Sequence, residues 1–101
     1  MVKHVVCWKL KDEAEGNTKL QNALIAKEKL EDLREVIDEI RSIRVGINAP
    51  GTPEGNWDLI LESEFTTLRD LDTYANHPDH LKVVEFIKKV VEGRICVDYA
   101  I

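Results

Sequence analysis

The chain has 101 residues, room for one domain over residues 1–101 with a single core and no separate regulatory module. Its 19 acidic and 14 basic side chains give a formal net charge of −5, and the cations sit beside acids, as in Lys27-Glu28-Lys29. No basic stripe forms, which excludes nucleic acid as the expected ligand; the stretch Met1 to Leu10 is too short and too charged for a signal or a membrane span, so no membrane is expected and the cytoplasm is the expected compartment.

Val2 to Leu10 alternates Val2, His4, Val6, Trp8 and Leu10 against Lys3, Val5, Cys7 and Lys9, the period of a strand. Thr18 and Gln21 have capping-box spacing, and Leu20, Leu24, the stem of Lys27, Leu30 and Leu33 recur every three or four residues. This predicts an amphipathic helix ending between Arg34 and Ile40, then a strand from about Ser42 to Asn48. Pro50, Gly51, Pro53 and Gly55 mark a loop over 48–56, and Trp57, Leu59, Leu61, Ser63 and Phe65 alternate as a third strand. Thr67 and Asp70 open a helix through Leu68, Leu71 and Tyr74 that stops at His77-Pro78. Pro78 starts the next helix, with Leu81, Val84, Ile87 and Val91 as its buried stripe and Gly93 as its stop. Ile95, Val97, Tyr99 and Ile101, alternating with Cys96, Asp98 and Ala100, make a last strand.

The predicted order, strand, helix, strand, strand, helix, strand, is that of an α+β, ferredoxin-like βαββαβ domain with helices over one face of an antiparallel sheet. The other face then lacks a cover. Alternation assigns Val5, Cys7, Ile60, Cys96 and Ala100 to its apolar centre and Lys3, Lys9, Asp58, Glu62 and Asp98 to a polar rim, the anatomy of a homodimer interface. A solvated sheet face with scattered apolar residues is the bland alternative. Cys7 and Cys96 lie too far apart in sequence for a redox or zinc motif and read as small buried hydrophobes. No dinucleotide fingerprint, phosphate loop, helical zinc motif or nucleophile elbow occurs, so neither a cofactor nor a metal is called for.

His4 with Trp8-Lys9, the run Ile40 to Asn48, the passage Phe65 to Leu71, and Tyr74-Ala75-Asn76-His77-Pro78-Asp79-His80 together resemble the stress-responsive dimeric α/β-barrel family over nearly the whole chain. The resemblance implies a homodimer in which two four-stranded sheets pack face to face into a dimeric α/β barrel. It includes proteins without an assigned reaction and a plant polyketide cyclase, in which a strand-one histidine and a tyrosine-histidine pair line a pocket and the second histidine is the base of an aldol-type ring closure. The matching positions here are His4, Tyr74 and His80.

Histidine suits proton transfer near neutral pH, and a phenol can donate to a developing oxyanion. Two accounts of the trio stay open. In one, His4, Tyr74 and His80 form a small-molecule pocket of a cofactor-independent cyclase or isomerase acting on an enolisable carbonyl compound. In the other, His77 caps the helix at Pro78, His80 bonds a loop carbonyl, and His4 is a satisfied core histidine.

Overall fold

A computed structural model describes all residues 1–101. Its elements in chain order are β1 (Val2–Leu10), β2 (Glu13–Ala14), β3 (Asn17–Thr18), α1 (Lys19–Asp32) continued by a 3-10 turn at Leu33–Glu35, β4 (Ser42–Ile47), β5 (Leu59–Phe65), α2 (Leu68–Asn76), α3 (Pro78–Val90) and β6 (Val91–Ala100). The main sheet is antiparallel, in the order β4-β5-β1-β6, and the expected ferredoxin-like topology is the one observed. The small hairpin β2-β3 is an addition, turned by Glu15 and Gly16, both with positive φ. No helix is long and apolar enough to cross a membrane.

The caps explain where the helices begin. Thr18 accepts from the Gln21 amide while the Gln21 side chain accepts from the Thr18 amide, a complete capping box. Thr67 accepts from the Asp70 amide at the start of α2, and His77 accepts from the Asp79 amide at the start of α3, where Pro78 has no amide to satisfy.

α2 buries Leu71 and Tyr74 of its expected stripe, whereas α1 and α3 turn partly different stripes inward from the ones their apolar residues mark. In α1 the buried residues are Asn22, Ala23, Ala26 and Leu30, whereas Leu20 and Leu24 are 59% and 52% exposed. Small alanines let the helix lie close to the sheet, and Asn22 is satisfied there by donating to the Ala14 carbonyl and accepting from the Asn17 amide group. In α3 the buried residues are Val83, Ile87 and Val90, while Leu81 is exposed. Gly93 does not stop that helix. It lies inside β6, where a Cβ would come within 3.0 Å of the Trp57 ring.

The core joins Val6, Trp8, Leu10, Leu59, Leu61 and Phe65 of the sheet to Leu30, Leu33, Leu71, Tyr74, Ile87 and Val90 of the helical layer. Each large apolar side chain so buried contributes about 1.5–3 kcal/mol.

The last strand departs from the expected parity. Ladder partners share a face, and β1 pairs Cys7 with Ile95, Val5 with Val97 and Lys3 with Tyr99. The face left open by the helices is therefore made of Val5, Cys7, Ile60, Ile95, Val97 and Tyr99, and Cys96, Asp98 and Ala100 turn to the helix side opposite Val6, His4 and Val2. A register shift between Lys9 and Leu10 puts Val91 and the even-numbered residues from Arg94 onward on one face; the expected parity turns the more apolar set, Ile95, Val97 and Tyr99, toward the helices, and the ladder turns it outward.

Candidate functional site

His4 lies at the middle of the sheet on β1, nine-tenths buried, with its ring facing the helices. Its ladder partner on β6 is Asp98, and His4 Nδ1 is 2.5 Å from Asp98 Oδ1. The carboxylate accepts the Nδ1 proton, which fixes the ring plane and leaves Nε2 as the free nitrogen. Cys96, two residues earlier on the same face, places its sulfur 3.6 Å from His4 Nδ1 and 3.7 Å from Asp98 Oδ1.

Tyr74 comes from the last turns of α2 and is 1% exposed, its ring 5.0 Å from that of Phe65, 6.2 Å from His4 and 4.3 Å from His80. Its hydroxyl is buried and has no hydrogen-bond partner. Burial holds this phenol well above its ordinary pKa, against a small opposing pull from the charge of Arg94, so it remains a proton donor throughout the physiological range.

His80 sits in the first turn of α3, just after the break that His77 and Pro78 make. His80 Nδ1 donates to the Ala75 carbonyl at 2.9 Å, which leaves the Nε2 lone pair unengaged. Burial lowers its pKa most, helped by the charges of His4, Arg94 and His77, while the bond to Ala75 pulls the other way. The neutral base therefore predominates at neutral pH. His77 points to its cap and takes no part.

These three side chains line one cavity of about 330 Å³ whose walls are otherwise mostly apolar, among them Val6, Trp8, Leu61, Val84 and Ile87, with Lys88 and Arg94 also on its lining. A cavity of this size and character accepts a small, largely apolar molecule. The arrangement offers it a base at His80, a donor at Tyr74 and an oriented imidazole at His4.

Sequence periodicity does not find Asp98, Cys96 or Arg94 as neighbours of this cavity. The contacts of Asp98 and Cys96 with His4 depend on the β1-β6 register, and the only sequence signal is that Asp98 is a charged residue within the apolar alternation Ile95 to Ile101.

Residues 2–101 match the family model described as Stress Responsive A/B Barrel Domain. A stress-response A/B barrel domain-containing protein, DABB1 of Arabidopsis thaliana, is 30% identical over 100 residues, covering 98% of this chain and 46% of that protein. The chain thus spans about half the length of the curated relative it matches. Among solved structures, a dimeric protein of unknown function and ferredoxin-like fold from Bacteroides fragilis is similar at 36% identity with a TM-score of 0.82, covering 99% of this chain and 95% of that one. A hydroxynitrile lyase from Passiflora edulis shares the fold at 16% identity, with a TM-score of 0.80 and coverage of 99% and 92%.

Proposed function

The chain belongs to the stress-responsive A/B barrel domain family, and from that premise we propose that it works as a homodimer whose subunits each hold a small-molecule pocket, in which His80 removes a proton from an enolisable carbonyl compound without a cofactor. The observation that carries this reading is the Tyr74 hydroxyl, buried with nothing to bond on a ring that packs 4.3 Å from that of His80. An unpaired buried hydroxyl costs about 1–3 kcal/mol in a fold that has no use for it, and a ligand oxygen would relieve that cost.

The proposed step balances within the pocket. His80 Nε2 takes a proton from the carbon next to the carbonyl, the C–H electron pair becomes the C=C bond of an enolate, and the carbonyl π pair moves to oxygen. Tyr74 donates a hydrogen bond to that oxygen as its charge grows. The imidazolium then returns its proton to the far carbon of a conjugated enolate, giving an isomer, or the enolate carbon attacks a second carbonyl of the same molecule, whose π pair moves to its oxygen as the ring closes. In the second case the imidazolium gives its proton to that alkoxide and is restored to the neutral base. His4, held by Asp98, sets its ring edge-on to the tyrosine ring at 6.2 Å, with Nε2 free of protein partners.

For the dimer, the support is the apolar open face, with Ile95 55% and Val97 61% exposed in the single chain, and the description of the Bacteroides fragilis neighbour as dimeric.

Deuterium exchange at the α-carbon of small alkyl and aryl 1,3-diketones, followed by NMR in heavy water, tests the chemistry. Exchange should run faster than in buffer alone, fall about 100-fold or more in His80→Ala, and fall about 10- to 100-fold in Tyr74→Phe. Because burial lowers the His80 pKa below 6.5, the acid limb of the rate profile should have its midpoint below that value: the base is neutral above it and is lost to protonation as pH falls through it. Ligand line broadening without exchange, or exchange unchanged in His80→Ala, would leave a binding pocket and no enzyme.

A further inference from the structure

His4, Cys96 and Asp98 bring three different metal-ligating atoms, an imidazole nitrogen, a sulfur and a carboxylate oxygen, within 4.8 Å of one another. Cys96 and Asp98 are two apart on β6 and so point the same way, and His4 faces Asp98 across the ladder. The cluster thus rests on two neighbouring strands of one sheet, a rigid base for coordination. We propose that these residues form a site for a divalent transition metal of the zinc class, with a fourth position open to water.

The geometry is close to what zinc needs. Bonds of about 2.3 Å to sulfur and about 2.0–2.2 Å to nitrogen and oxygen, at tetrahedral angles, separate the sulfur from each other donor by about 3.5 Å and the nitrogen from the oxygen by about 3.4 Å. The two sulfur edges are 3.6 and 3.7 Å. The His4 to Asp98 edge, 2.5 Å as a hydrogen bond, has to open by about 0.9 Å to the zinc spacing. Asp98 can supply that movement, since its side chain is 39% exposed while His4 is held in the core.

On binding, the thiol of Cys96 gives its proton to solvent and the sulfur electron pair goes to the metal; the imidazole proton moves from Nδ1 to Nε2, so that Nδ1 can donate its lone pair. The donor set, one sulfur with one nitrogen and one oxygen, favours zinc or cobalt(II) over the hard ions magnesium and calcium. A three-ligand site with an open position is the arrangement found where zinc activates water. The metal site shares His4 and its partner Asp98 with the site described above but does not depend on His80 acting as a base.

Titration of the metal-free protein with cobalt(II) tests it. One ion per chain should bind and give a thiolate-to-cobalt charge-transfer band together with strong visible bands of a tetrahedral centre, both abolished by an equivalent of zinc. Cys96→Ser should remove the charge-transfer band, Asp98→Asn should weaken binding at least 10-fold, and Cys7→Ser, whose sulfur is on the opposite face, should change neither. Circular dichroism of each variant checks that it is folded. Weak octahedral spectra, binding that does not saturate at one ion per chain, or a charge-transfer band that survives in Cys96→Ser would overturn the proposal.

Discussion

At the scale of single residues, Tyr74 shows how a site and a core compete for one side chain. Its ring is packed against Phe65 and His80, so replacing it with alanine removes a fully buried aromatic and should cost about 3–5 kcal/mol. Its hydroxyl is different, because nothing accepts its proton. Tyr74→Phe therefore keeps the packing and removes an unpaid desolvation cost, and its unfolding free energy in urea should match the wild type or exceed it by up to about 1–2 kcal/mol. A loss of more than about 1 kcal/mol in that variant would mean the hydroxyl has a structural partner, and the reading of it as a ligand donor would fall. His4, Tyr74 and His80 are joined as one site only through the family resemblance; periodicity alone places them on β1, α2 and the start of α3 without bringing them together. Asp98 and Cys96 could not be assigned to the same place, because a one-residue shift near the start of β6 decides which face they occupy and that shift leaves no mark on the alternation after it.

At the scale of elements, α1 does more than cover the sheet. β4 is an edge strand, and the outward backbone groups of Val45 would be free to pair with another chain. Lys27 Nζ donates to the Val45 carbonyl at 2.8 Å, and Glu31 Oε2 accepts from the Val45 amide at 3.0 Å while also holding Lys27 at 2.8 Å. Burial alone would raise the Glu31 pKa; the bonds from Lys27 and Val45 outweigh it and hold the carboxyl below its ordinary value. A solvent-exposed pair at this helical spacing is worth about 0.3–0.5 kcal/mol, whereas losing the acceptor of a part-buried amide costs about 1–3 kcal/mol. Glu31→Ala should fall in the second range, lowering Tm by about 4–8 °C per kcal/mol at fixed protein concentration, and should speed amide exchange at Val45 without changing it at the centre of β1. A Tm drop below about 2 °C with unchanged exchange would reduce the contact to an ordinary surface pair. Helix existence, caps and strand order were legible from periodicity and from Thr18, Thr67 and Pro78. The buried stripe of α1 was not, because hydropathy ranks leucine over alanine, while close approach to the sheet favours Ala23 and Ala26 and leaves Leu20 and Leu24 outside.

At the scale of the whole molecule, a 101-residue chain buries only about two-thirds of its unfolded surface, and this one leaves Ile95, Val97, Tyr99 and Ile101 each about half exposed along one strand. Together with Val5, Cys7 and Ile60 they make a continuous apolar field on the face without helices, framed by Lys3, Lys9, Glu62 and Glu92, with Lys3 paired to Glu62 and Lys9 to Glu92. A stable interface needs about 800 Å² from each partner, and a four-stranded sheet face can supply an area of that order. If two such faces meet, a charge at the centre is buried without a partner, whereas a charge on the helix side of the same strand is not. Val97 is the sharper position because it lies opposite Val5 in the ladder and is the most exposed apolar residue of β6. Val97→Lys should convert the dimer to a monomer in sedimentation at micromolar concentration, since an unpaired buried charge costs several kcal/mol. Ala100→Lys, one face over and at the strand end, should leave the mass unchanged. The two variants put the same charge on opposite faces of one strand, so dissociation by Ala100→Lys with an intact Val97→Lys dimer would place the interface on the helix side and return the register of β6 to the parity read from its sequence.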